Sequence, residues 1–101
     1  MIYEVNLSVD REIAEAYASW LEPHMAQMLE FEGFESATWL AREPEMEGSD
    51  GSRELWTIQY SVSTRAHLER YFVEGAERMR GDGLERFSGR FEATRRVLRE
   101  R

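Results

Sequence analysis

"MIYEVNLSVD", residues 1–10, puts Tyr3, Val5, Leu7 and Val9 on one parity and Glu4, Asn6 and Ser8 on the other. A period of two is the signature of a strand with one buried face. The stretch has no basic region leading into an apolar run. It therefore reads as neither a signal peptide nor a membrane anchor, nothing later approaches a spanning segment, and a cytoplasmic location is expected. Further along, "RELWTIQYSV" (53–62) repeats the alternation, with Trp56, Ile58, Tyr60 and Val62 set against Leu55, Thr57, Gln59 and Ser61. "FESATWLAR" (34–42), stopped by Pro44, and "RFEATRRVL" (90–98) complete a set of four predicted strands.

The intervals between the strands carry a helical period. Asp10 can cap a helix whose stripe runs Ile13, Tyr17, Trp20, Leu21, His24 and Met28 at spacings of three and four. Gly33 ends it. Pro23 lies inside this helix and predicts a kink or restart, because proline lacks the N–H owed to the carbonyl of Ser19. Ser63 or Thr64 can cap a second helix with the stripe Leu68, Tyr71, Phe72, Gly75, Ala76 and Met79. "GDG" (81–83) is expected to break it, and "LERFSG" (84–89) to add one short turn. The acidic segment Glu43–Ser52 reads as a hairpin loop.

The order βαββαβ, with right-handed crossovers, predicts an α+β, ferredoxin-like single domain over residues 1–101. Its four-stranded antiparallel sheet would carry both helices on one face. The face left over holds Asn6, Ser8, Ser36, Thr38, Thr57, Gln59 and Thr94, polar yet thinly charged. A second copy of the chain covering that face, as a homodimer, accounts for this pattern.

Composition excludes several chemistries. The chain has 101 residues and a net charge of −7, which argues against nucleic acid as a partner. It has no cysteine, so disulfides, thiolate metal sites and cysteine nucleophiles are ruled out. All thirteen basic residues are arginine, which removes Schiff-base chemistry and phosphate-loop lysines. His24 and His67 share no ligand spacing, so no metal site is indicated. No phosphate loop, nucleophile elbow or dinucleotide fingerprint is present.

The tryptophan and histidine of the first helix, the tyrosine of the second and the ending "ERFSGRFEATRRVL" resemble a family of short bacterial proteins of unknown function. That family is assigned to the dimeric α/β-barrel group. The resemblance spans nearly the whole chain. It implies a distant similarity to antibiotic-biosynthesis monooxygenases, EthD-like proteins and muconolactone isomerases. Some of these carry a histidine late in the first helix.

His24 falls on the apolar stripe directly after Pro23, so it is either a packed core histidine or part of a cavity wall. Arg95 shares the inward parity of Phe91, Ala93 and Val97. It is either a buried cation facing a cavity or a side chain reaching to solvent. With Tyr17, Trp20, Trp39, Trp56 and Tyr60 these form the candidate site. His24 would move a proton, Arg95 would stabilise an enolate or carboxylate, and the aromatic residues would line a pocket for a small aromatic or polyketide-like molecule. No bound cofactor is required. The alternative is a non-catalytic dimerisation or interaction module with a filled aromatic core and Glu43–Asp50 as its contact loop. A cavity beside His24 separates the two readings.

Overall fold

A computed structural model describes residues 1–101. Strand β1 (Ile2–Asp10) passes through a single 3-10 turn into helix α1 (Ala14–Met28), followed by β2 (Phe34–Ala41) and β3 (Arg53–Val62). Helices α2 (Arg65–Glu74) and α3 (Ala76–Phe87) then lead to β4 (Phe91–Leu98). The four strands form one sheet in the order β2-β3-β1-β4 with every neighbouring pair antiparallel, the ferredoxin-like arrangement. No helix is long and apolar enough to cross a membrane.

Register follows the alternation. Val5 pairs with Ile58 on one side and Arg95 on the other, and Tyr3 pairs with Tyr60 and Val97. One parity therefore makes a continuous face. Tyr3, Leu7, Val9, Ile58, Tyr60 and Val62 on that face are buried against Tyr17, Leu21 and Met28 of α1, Leu68 and Tyr71 of α2, and Met79 of α3. All three helices thus cover the same side of the sheet. Asp10 starts the first turn by accepting from the Glu12 N–H at 3.0 Å, and Thr64 starts α2 by accepting from the His67 N–H at 3.2 Å.

Four local expectations are corrected, the first being that α1 closes at Leu29, ahead of Gly33. Helix α1 runs unbroken through Pro23. Ser19 and Pro23 both lie on its exposed side, where water can take the carbonyl that proline leaves free. The second helix breaks at Gly75 and not at "GDG": α3 continues through Gly81, Asp82 and Gly83 to Phe87. At Gly75 a Cβ would lie 2.4 Å from the Phe31 ring, so only glycine lets that ring pack across the break. "LERFSG" is accordingly the end of α3 and not a separate turn.

The face away from the helices is more charged than expected. Glu4, only 2% exposed, lies flat on it beneath Arg96. Its carboxylate accepts from Arg96 Nε, from Gln59 Nε2 at 2.9 Å and from Asn6 Nδ2 at 2.9 Å. Asn6 Oδ1 in turn accepts from the Thr57 hydroxyl at 2.6 Å. These donors, with the Arg96 hydrogen bond the strongest influence, hold the Glu4 carboxyl down to about 2 despite the opposing effect of its burial.

Candidate functional site

The α1 stripe places Tyr17, Trp20 and His24 over the middle of the sheet. The continuation of α3 past Met79 brings Arg80 and Gly83 against them. Between these helices and Val5, Tyr60 and Arg95 of the sheet lies a cavity of about 50 Å³. At about 10–15 Å³ per water this is room for a few waters or for the polar head of a small ligand.

His24 is the unusual group in its wall. Its ring stacks on Trp20 with centroids 4.5 Å apart and planes at 27°. Trp20 is itself anchored, donating from Nε1 to Asp82 Oδ2 at 3.2 Å. The indole also presses against Gly83, where a Cβ would stand 2.9 Å from Trp20 Cη2. His24 Nδ1 is buried with no hydrogen-bond partner. Burial lowers the imidazole pKa below its ordinary 6.5, Asp82 opposes this, and the Arg95 charge adds to it. The shift favours the neutral imidazole, whose Nδ1 has no protein partner and can accept a hydrogen bond in the Nε2–H tautomer.

The tyrosines around the cavity are held as neutral phenols. Burial pushes Tyr17 up to about 12, against the Arg95 charge. Burial, reinforced by neighbouring tyrosines, also raises Tyr60 and Tyr71. Arg80 reaches in and donates from Nη2 to the Tyr3 hydroxyl at 3.1 Å. A cavity with neutral donors, one unpartnered imidazole and two guanidinium groups can orient an oxygen-bearing molecule and accept its proton.

Of the candidate residues, His24, Arg95, Tyr17, Trp20 and Tyr60 line this cavity. Trp39 and Trp56 are on the same sheet face but outside it. Their rings pack edge to face at 5.1 Å, and Trp56 touches Tyr17 at 6.3 Å, filling the core toward β2. Arg95 lines the cavity yet is solvent-exposed on the edge strand β4, so it is a residue of the mouth and not a buried cation. Gly83 and the Asp82 that holds Trp20 are missing from the sequence-based set because "GDG" was read as the helix end, and Arg80 because the stripe was closed at Met79. The spacing Ala76, Met79, Gly83, Phe87 is a helical stripe and carries the signal for all three.

Known proteins share this architecture. SnoaB, a cofactor-independent oxygenase from Streptomyces nogalater solved in a mutant form, superposes with a TM-score of 0.64 at 15% identity, covering 99% of this chain and 94% of that one. An ethyl tert-butyl ether D (EthD) family protein from Bacillus halodurans gives 0.63 at 10% identity, with 98% and 100% covered. The de novo designed protein Foldit4 gives 0.59 at 12% identity, with 97% of each chain covered. These likenesses establish the fold. No curated protein matches the chain. A family model does, over residues 1–101, and by it the chain belongs to the domain-of-unknown-function family DUF4286.

Proposed function

We propose that this DUF4286 protein binds a small aromatic molecule whose polar group enters the cavity beside His24, with the imidazole accepting a proton or hydrogen bond from it. The observation that carries this reading is the buried, unpartnered Nδ1 of His24 in the cavity wall. Leaving such a group unpaired costs about 1–3 kcal/mol in the free protein. A ligand hydroxyl would recover that energy, and Trp20 and Phe91 offer flat apolar surface at the same wall. The cofactor-independent chemistry named for SnoaB is consistent with a site built from proton acceptors and phenols.

The same reading includes a homodimer. Helices cover one side of the sheet and leave the Glu4 side bare, and a second copy seated there would shield the Glu4–Arg96–Gln59 group from water. The cavity lies between the helices and the sheet, on the side away from that contact.

The test is an NMR titration with phenol and with anisole, which lacks the hydroxyl proton. Phenol should shift the His24 Nδ1 nitrogen resonance and the Trp20 indole, and anisole should leave the imidazole unmoved. If neither compound moves any cavity resonance at millimolar concentration, the small-molecule reading is wrong.

A further inference from the structure

Seven of the thirteen arginines are ion-paired to a carboxylate: Arg11, Arg42, Arg65, Arg70, Arg86, Arg90 and Arg96. Among the rest, Arg53 is tied to Ser8, Arg78 lies over the Phe31 ring, and Arg99 and Arg101 follow the last strand. That leaves Arg80 and Arg95, and both are in the wall of the one cavity that holds His24. In a chain with twenty carboxylates the absence of an acidic partner at both is informative.

Arg80 and Arg95 are exposed residues that line the cavity's rim. Arg80 reaches the hydroxyl of Tyr3, a residue only 2% exposed. The Arg95 charge is felt by Tyr17, His24 and Tyr71, and the Arg80 charge by Tyr71 as well. Asp82, the acidic group near this region, is occupied by Trp20 Nε1 and Arg86 and lies outside the cavity wall. Two guanidinium groups without a carboxylate partner thus meet at the cavity, while the nearby Asp82 is already engaged, which favours a negative ligand group there.

We infer that the occupant is an aromatic carboxylate, its carboxylate held between Arg80 and Arg95 and its ring resting on Trp20. This rests on the small-molecule reading above and names the ligand's class. The size of the cavity fits the assignment, because about 50 Å³ accepts a carboxylate head but not a ring system. A planar guanidinium is suited to the planar two-oxygen head. The arrangement also gives Arg80, on α3, a specificity role alongside Arg95.

The experiment titrates benzoate and its neutral isostere benzamide into the protein, read at the Trp20 indole resonance. The proteins compared are the unchanged chain, Arg80→Gln, Arg95→Gln and, as a control outside the cavity, Arg78→Gln. Benzoate should bind at least about ten-fold more tightly than benzamide, the scale of a charge-assisted contact. Arg80→Gln and Arg95→Gln should each remove most of that preference while leaving benzamide unchanged. Arg78→Gln should behave as the unchanged chain. Equal binding of benzoate and benzamide, or a preference that survives both cavity substitutions, overturns the carboxylate assignment while a response to phenol keeps the parent reading. Silence toward phenol, benzoate and benzamide together removes both.

Discussion

Replacing Glu4 by glutamine tests the bare sheet face most directly. The carboxylate receives three donors and offers none, so an amide in its place must turn an NH2 toward Arg96, Gln59 or Asn6. Folding moves the Glu4 carboxyl from an ordinary 4.5 to about 2. At about 1.4 kcal/mol per ten-fold change, that difference is worth ~3 kcal/mol at most. Arg96 remains 64% exposed, and solvent around it halves the figure to ~1.5 kcal/mol. The sign follows from the lowered pKa. Below 4.5 the unfolded chain takes up the proton first, so the contribution is complete above that pH and disappears as the pH falls through about 2. Urea denaturation of both proteins at pH 7, 5, 3.5 and 2.5 reads this out as a stability gap. The gap should be ~1.5 kcal/mol at pH 7 and close steadily toward pH 2. Asp10 and Asp50 are also held low, but they titrate alike in both proteins and drop out of the difference. A gap that is absent at pH 7, or the same at every pH, would refute the reasoning.

Exchanging His24 for leucine removes an unpaired buried nitrogen, so at pH 7 the variant should be as stable as the original or about 1 kcal/mol more so, while losing its response to phenol. Because burial lowers the His24 pKa, the unchanged protein should also lose stability as the pH drops below 6.5, and His24→Leu should lose less over the same range in urea melts. The two glycines of α3 should behave oppositely. Gly83→Ala pushes a methyl into Trp20 and should shift the tryptophan fluorescence and cost about 1–3 kcal/mol, whereas Gly81→Ala meets open space and should stabilise by up to about 1 kcal/mol in thermal melts. Light scattering at micromolar concentration should return about twice the 11.9 kDa chain mass. A persistent monomer would remove the homodimer from the reading.

The sheet was legible because its information is local and periodic. β3 was delimited to the residue by the alternation in "RELWTIQYSV", and the inward parity of Tyr3, Val5, Leu7 and Val9 is the face the helices cover. The stripe of α1 likewise placed Tyr17, Trp20 and His24 on one side. Glycines and proline were misread for a common reason. Their local preferences are small against tertiary contacts: Phe31 packing on Gly75 and Trp20 on Gly83 decided which glycine breaks a helix and which sits inside one. Glu4 escaped notice because its neutral appearance on the sheet depends on Arg96, 92 positions away in sequence. Trp39 and Trp56 have the right parity for the cavity, but parity fixes a face and says nothing of position along it.

The central place of β1 has a consequence for how the chain comes together. Its two edges are satisfied by β3 and β4, and Ile2 finds its partner Leu98 only after nearly the whole chain has been made. A nascent protein that has emerged through residue 62 can already zip β3 between β1 and β2. One long edge of β1 then stays bare, with Tyr3, Val5, Leu7 and Val9 still without α2 and α3 above them. Such an edge can recruit another strand, including β1 of a neighbouring nascent chain. The closing step also joins the most distant segments and is entropically the costliest, which makes docking of "FEATRRVL" the natural slow stage of folding. Loss of β4 therefore leaves a sticky partial sheet, while β2, lying at the far edge, is the strand whose loss would disturb the fewest of these pairings.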